Sequence, residues 1–245
     1  MLFRSDTDTG THTATLEHAS RMFSLGFLVN GQLVSGNEHG EISLWDTVTG
    51  SRVQTVDALS SWIYSLSASQ SKLASGSSDK TVRVWDTATW ECTRTFLCDN
   101  EVESVAWYPN GDRVAACTWG TLYVWDTATQ QRIASKNIRH CYDVAVSNDG
   151  KCLAAGADES TSLYDASTLD CIWSRDLSSL SSRFISFSPD SCQLVSANFK
   201  DDKVSLIDVQ TGNLVKSFKH SNVNKAVFSH DGTRVLSGES CSVAL

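Results

Sequence analysis

A short motif, Asp-x-x-Thr, recurs along this chain of 245 residues at nearly constant intervals. Successive copies are 40, 40, 40, 39 and 43 residues apart. The aspartates of the motif are Asp6, Asp46, Asp86, Asp126, Asp165 and Asp208. An aromatic residue stands directly before four of them, at Trp45, Trp85, Trp125 and Tyr164. A period this regular requires a fold in which equivalent units pack side by side.

Each repeat carries the pattern of four short strands. The first strand ends in a turn that often contains Asn-Gly or Asp-Gly, which tolerate the positive φ of a tight hairpin. The second strand is rich in small residues, as at 73–76, and the third alternates and ends on the large residue, as at 82–85. The Asp-x-x-Thr turn follows, where both side chains can accept backbone N–H groups. About 40 residues per unit with a Trp-Asp dipeptide indicates an all-β propeller, because a β-sandwich has no reason to keep a strict repeat.

The whole chain resembles the WD40-repeat family, most clearly at 104–126. The resemblance implies one β-propeller domain over 1–245, and the length favours six blades of four antiparallel strands. The segment 12–17 would complete the last blade, formed by 223–245. An open or incomplete seven-bladed propeller is the alternative. The resemblance gives structural roles to the repeat positions Trp45, Asp46, Trp85, Asp86, Trp125, Asp126, Tyr164, Asp165 and Asp208.

Blades of this family tend to share a hydrogen-bonded set of Asp, His, Ser and Trp. The resemblance implies only parts of this set here, with Ala155 in a serine position and Thr118-Trp119-Gly120 in place of one aspartate turn. The members that the resemblance implies are His18, Ser35 and Trp45 in one blade, Ser75, Asp79 and Trp85 in the next, and His140 and Asp158 in the blade of Tyr164.

Composition excludes several classes of partner. Lys plus Arg is 20 and Asp plus Glu is 28, so the net charge of −8 argues against nucleic acid. No apolar run is long enough for a signal peptide or a membrane span, and we expect a cytoplasmic or nuclear protein with no membrane partner. Eight cysteines lie singly, mostly in strand-like segments, which predicts buried thiols and no disulfide framework.

Motifs for catalysis and metal binding are absent from the sequence. The nearest match to a calcium loop, at 6–17, has Thr11 where glycine is required. His140 and Cys141 are neighbours in a predicted strand, so their side chains should point to opposite faces. We therefore expect no enzyme activity, no metal, no cofactor and no small-molecule substrate.

A candidate binding surface comes from aligning the repeats just before and just inside the first strand. Propellers of the resembled family usually bind at the rim of the central channel, on the loops that enter the first strand or link the second to the third. Side chains at these positions differ from blade to blade, and aromatic residues and arginine often anchor interfaces. The predicted binding residues are Arg21, Trp62, Tyr64, Glu101, Trp119, His140, Tyr142, Arg183 and Phe199.

The sequence thus predicts a non-enzymatic scaffold that binds peptides or partner domains on this rim. A substrate-recognition subunit of a ubiquitin ligase is one alternative, although Val48 stands where such family members often have arginine after Trp-Asp-x. A regulatory propeller within a larger protein is another. A propeller enzyme is the third, and it would need carboxylates to converge, for which Glu101 and Glu103 are the candidates.

Overall fold

A computed structural model describes residues 2–5, 12–16, 20–158, 160–176, 182–198, 202–239 and 243–244. Every regular element in these ranges is a β-strand. Within the same ranges no helix is long and apolar enough to cross a membrane. The chain forms two compact units, residues 1–102 and 103–245, which are described separately.

The first unit contains two four-stranded antiparallel sheets among its described residues, each with its strands in chain order. The first sheet comprises β3 (Met22–Phe27), β4 (Leu33–Asn37), β5 (Glu41–Trp45) and β6 (Arg52–Asp57). The second comprises β7 (Ile63–Ser69), β8 (Lys72–Ser77), β9 (Thr81–Asp86) and β10 (Cys92–Leu97). Two further strands, β1 (Leu2–Ser5) and β2 (His12–Leu16), pair with each other.

The second unit repeats this arrangement three times in its described part. One sheet comprises β11 (Val102–Trp107), β12 (Arg113–Thr118), β13 (Thr121–Asp126) and β14 (Arg132–Asn137). The next comprises β15 (Cys141–Val146), β16 (Cys152–Ala157), β17 (Ser160–Asp165) and β18 (Cys171–Asp176). The third comprises β19 (Ser182–Phe187), β20 (Gln193–Asn198), β21 (Lys203–Asp208) and β22 (Leu214–Lys219).

The last sheet of the chain has three described strands, β23 (Val223–Phe228), β24 (Val235–Glu239) and β25 (Val243–Ala244). The predicted all-β architecture of four-stranded antiparallel units is confirmed. That residues 12–17 complete the sheet formed by 223–245 stays a prediction.

The Asp-x-x-Thr turns connect the third strand to the fourth in each described copy. In the copy at Asp86, the carboxylate Oδ1 accepts the N–H groups of Ala88 at 2.9 Å and Thr89 at 3.0 Å. Thr89 Oγ1 then accepts the N–H of Glu91 at 3.3 Å. The same Asp and Thr bonds recur in the copies that begin at Asp46, Asp126, Asp165 and Asp208. The repeat is therefore a local device that closes one hairpin per sheet.

Apolar side chains fill the space between successive sheets within each unit. In the first unit this core includes Val34, Ile42, Ile63, Leu73 and Trp85. The indole N–H of Trp85 donates to Ser75 Oγ at 2.9 Å, as implied by the family resemblance. Trp45 makes the matching bond to Ser35 at 2.9 Å.

Small residues in the second strands leave room for the first strand of the next sheet. A Cβ on Gly36 would lie 2.6 Å from the Ile63 side chain. A Cβ on Gly156 would lie 2.5 Å from the Ser182 carbonyl oxygen. These contacts are too short for a real side chain, so glycine at these positions sets how closely neighbouring sheets pack.

Asp143 joins three sheets of the second unit through its buried carboxylate. Ser104 Oγ on β11 donates to Oδ1 at 2.6 Å, and the N–H of Ile185 on β19 donates to Oδ2 at 2.8 Å. Burial is the largest influence on this group and raises its pKa, although these hydrogen bonds oppose the rise. Asp143 thus connects first strands of successive sheets.

The prediction that the cysteines are buried is partly wrong. The seven described cysteines are all free thiols. Cys117 and Cys141 are buried, but Cys92, Cys171 and Cys192 are exposed. Cys92 and Cys171 begin fourth strands, which face solvent, and Cys192 lies in a turn. A strand-like sequence pattern does not distinguish these outer positions from inner ones.

Turn aspartates make the stability of the fold sensitive to acid. Hydrogen bonds from backbone N–H groups and from serine or threonine hydroxyls lower the pKa of several of them, and that of Asp231 falls to about 2. The group comprises Asp86, Asp126, Asp149, Asp165, Asp190, Asp208 and Asp231. A lowered pKa means that the folded state favours the charged carboxylate, so this stability exists above the unfolded pKa of about 4 and is lost below it.

We expect the free energy of unfolding to fall as the pH is lowered from about 4 to about 2. Urea unfolding at a series of pH values measures this slope. Asp231→Asn is the matched variant, and it should flatten the slope because one titrating group is removed. The raised pKa of Asp143 makes the free energy of unfolding rise as the pH falls, but this is one carboxylate, whereas seven turn aspartates have the opposite effect. A stability that does not change between pH 5 and pH 2 contradicts this interpretation.

Candidate functional site

The described members of the predicted binding set each lie at the same end of their own sheet, which we call the front end. There the first strand begins, the second strand passes to the third, and the fourth strand ends. Trp62 directly precedes β7, and Trp119 lies in the turn between β12 and β13. All the predicted residues except Phe199 are in the described part of the chain.

A bulge at the start of several first strands points side chains out of the front end. In β7, Ile63 pairs with Ser77 while Ser65 pairs with Gly76, so Tyr64 is the extra residue. The same register shift occurs in β3, β15 and β19, where the extra residues are Phe23, Tyr142 and Arg183. A bulge redirects its extra side chain away from the regular alternation of the strand. This feature places one repeat column at the front surface.

In the first unit, Arg21, Phe23, Trp62, Tyr64 and Glu101 form a surface group that we call the Trp62 cluster. Phe23 and Trp62 stack with ring centroids 5.1 Å apart, and Tyr64 meets both rings edge-on at 5.6 and 6.0 Å. The Arg21 guanidinium lies 5.0 Å from the Phe23 centroid. Tyr64 Oη donates to Glu101 Oε2 at 3.2 Å. Trp62 is 41% exposed, so the cluster presents a large aromatic side chain to solvent.

The loop that carries Trp62 is fixed by backbone contacts. The Trp62 carbonyl accepts the N–H of Ser78 at 3.0 Å. Gly40 O accepts the N–H groups of Ala58 at 3.0 Å and Leu59 at 2.9 Å. Arg83 donates to the Ala58 carbonyl at 2.8 Å and pairs with Asp79, with 3.5 Å between Nη2 and Oδ2. The exposed indole therefore stands on a loop whose backbone is held at three points.

In the second unit, Trp119, His140, Tyr142, Asp158 and Arg183 form the Trp119 cluster. The Trp119 ring lies 5.4 Å from that of His140 and 6.5 Å from that of Tyr142. His140 Nδ1 and Tyr142 Oη both bond the Asp158 carboxylate, at 2.5 and 2.9 Å. The Arg183 guanidinium lies 5.1 Å from the Tyr142 centroid. Trp119 is 49% exposed, so this cluster also offers an indole to solvent.

Local backbone geometry and charge keep the Trp119 cluster in one arrangement. His140 has a positive φ of 50°, and its N–H donates to the Trp119 carbonyl at 2.8 Å. Burial raises the pKa of Tyr142, and the hydrogen bond to Asp158 raises it further. The phenol therefore stays protonated at neutral pH and continues to donate to that carboxylate.

The two clusters contain two residues, Phe23 and Asp158, that are not among the predicted binding residues. Phe23 stands two residues after Arg21, as Tyr64 stands two after Trp62, and this shared repeat position is the signal for its role. The family resemblance implies Asp158 only as the partner of His140, whereas the structure adds Tyr142 as its second donor. Phe199 lies outside the described residues, and its role stays a prediction.

The described ranges contain no metal-binding cluster, and His140 and Cys141 do not form a pair there. No set of three or more His, Cys, Asp or Glu side chains there is arranged to bind a metal ion. His140 faces Trp119, while the neighbouring Cys141 is buried in the core between two sheets. The two side chains thus point to opposite faces, as predicted.

A comparison with protein families finds the model described as "WD domain, G-beta repeat" at residues 50–86 and 90–126. Each match contains the fourth strand of one sheet and the first three strands of the next. The chain therefore contains WD40 repeats. Its four-stranded sheets are therefore WD40 propeller blades, and the Trp62 and Trp119 clusters lie at their front ends. The chain matches no curated protein.

WD40 repeats generally provide scaffolds for interactions with other proteins or peptides, and WD40 propellers are typically non-enzymatic. In this WD40 protein, the Trp-Ser bonds at Trp45 and Trp85 and the His140–Asp158 pair keep parts of the hydrogen-bonded set of the family. His140 therefore has a structural contact as well as a surface position.

Proposed function

We propose that this WD40 protein is a non-enzymatic scaffold that binds peptides or partner domains through the front ends of its blades. The observation that carries the proposal is the exposure of Trp62 and Trp119, each within a cluster of aromatic and charged side chains. Large aromatic residues and arginine are enriched among the residues that dominate binding energy. Neither indole fills a core position.

Pre-organisation is the proposed mechanism. Bulges direct Tyr64 and Tyr142 outward, and ring contacts restrict the rotamers of Trp62 and Trp119 before any partner arrives. A side chain that is already ordered loses less conformational entropy on binding, which otherwise costs about 0.5–1.5 kcal/mol for each flexible side chain. The blades supply a stiff support for these loops.

Affinity purification with mass spectrometry tests the proposal. We expect the double variant Trp62→Ala, Trp119→Ala to lose partners that the native chain retains, because both aromatic anchors are removed. The matched control is Val48→Ala, Ile172→Ala, which shortens exposed apolar side chains away from the front end and should keep the same partners. Equal recovery of partners by the native chain and the tryptophan variant contradicts the proposal.

A further inference from the structure

The front end of the first unit carries an excess of acidic side chains around the Trp62 cluster. Its loops, together with the strand residues that flank them, span 20–21, 37–41, 57–62, 77–81 and 97–102. They contain six acidic and two basic side chains, and a third cation, Arg83 of β9, pairs with Asp79 at the same end. The acidic residues are Glu38, Glu41, Asp57, Asp79, Asp99 and Glu101, and the basic ones are Arg21 and Lys80. This surface therefore attracts cations and repels anionic partners.

The geometry of the Trp62 cluster restricts the shape of what can bind. Phe23 and Trp62 stack at an interplanar angle of 19°, and Tyr64 closes onto both rings edge-on. The three rings pack against one another and leave no space between them for an ammonium group. What they offer to a partner is the exposed part of the Trp62 indole, a flat π surface.

The chain itself shows which group suits these rings. The Arg21 guanidinium lies 5.0 Å from the Phe23 centroid, within the range of a cation–π contact. A guanidinium is planar and weakly hydrated, so it can stack on an aromatic face while its N–H groups reach carboxylates beside the ring. Glu101 is such a carboxylate, since it already accepts a bond from Tyr64 at 3.2 Å.

We propose that the Trp62 cluster binds a basic peptide segment by stacking an arginine side chain of that segment on the Trp62 indole. The proposal rests on the proposed scaffold function and specifies the chemistry of one of its partners. Tryptophan is the best aromatic acceptor for a cation. The acidic loops around it neutralise further positive charges of the segment and increase its rate of association.

Fluorescence polarisation with a short labelled peptide of alternating glycine and arginine tests this inference. We expect the native chain to bind it several-fold more tightly than the same peptide with lysine, because lysine cannot stack as a plane. Trp62→Ala should weaken binding of the arginine peptide by about tenfold. Val48→Ala is the matched control, since it shortens an exposed apolar side chain away from the front end, and it should leave the affinity unchanged.

A second variant separates the charge from the ring. Glu101→Gln keeps an acceptor for Tyr64 but removes one negative charge, and we expect it to weaken binding about twofold to fivefold. Circular dichroism establishes that each variant is folded. Equal affinity of the native chain and Trp62→Ala for the arginine peptide overturns the inference, as does tighter binding of the lysine peptide.

The outcome also distinguishes this inference from the scaffold function. If recovery of purified partners requires Trp62 while the affinity for the arginine peptide does not, the inferred class of partner is wrong and the scaffold function stands. If replacing Trp62 and Trp119 changes neither the recovery of partners nor the affinity for the arginine peptide, then the scaffold function and the inference about arginine are both wrong.

Discussion

Replacing Trp85 with alanine is expected to lower the free energy of unfolding by about 3–5 kcal/mol, the range for removing a large aromatic side chain from a core. Trp85 is only 4% exposed and packs with Leu66 and Leu73 between two blades. The substitution also removes the hydrogen bond, 2.9 Å long, that the indole N–H donates to Ser75 Oγ. A domain is typically stable by about 5–15 kcal/mol, so this single change removes a large share of the total.

Two matched variants show which part of the Trp85 effect comes from packing. Ser75→Ala keeps the indole and removes only its acceptor, which should cost about 1–3 kcal/mol. Val48→Ala changes a side chain that is 81% exposed, and it should stay within about 0.5 kcal/mol of the native chain. Urea unfolding measures all three. A loss below about 1 kcal/mol for Trp85→Ala contradicts its place in the core.

Gly40→Ala is the second substitution with a large expected effect. Gly40 has a φ of +80°, and a Cβ there would lie 2.1 Å from the Leu59 carbonyl oxygen. The backbone must move to make room for this Cβ. That movement would disturb the two hydrogen bonds that the Gly40 carbonyl accepts from the N–H groups of Ala58 and Leu59. We expect a loss of stability above the roughly 1–2 kcal/mol that left-handed backbone costs an ordinary residue.

Gly31→Ala isolates the effect of the backbone clash at Gly40. Gly31 has a similar φ of +83°, but nothing lies within 4 Å of its Cβ position. This variant should show only the cost of the left-handed conformation, about 1–2 kcal/mol. The difference between the two glycine variants in urea unfolding measures the clash. Equal losses would mean that the loop carrying Trp62 is not fixed by Gly40.

The repeat predicted the blades well because its determinants are local. An Asp carboxylate that caps N–H groups two and three residues onward needs no distant partner, and the turn at Asp86 has this form. Alternation in the third strand likewise reports burial directly, as for Val82 and Val84. The sequence pattern and the structure agree wherever a short segment decides its own conformation.

The surface clusters were harder to predict because they depend on how strands pair. The bulge at Tyr64 is a shift in register against β8, and no pattern within β7 alone reveals it. Phe23 and Trp62 are nearly one repeat apart, and their stacking follows from the packing of neighbouring blades. Aligned columns identified most members of the clusters, but their contacts required the structure.

The central claim is that the exposed indoles of Trp62 and Trp119 serve binding, whereas the core supports the fold. Thermal unfolding and partner recovery, measured on the same preparation of the Trp62→Ala, Trp119→Ala variant, test it most directly. We predict a midpoint close to that of the native chain, far above that of Trp85→Ala, together with loss of the bound partners. Unchanged partner recovery, or a fall in the midpoint as large as that of Trp85→Ala, would contradict the claim.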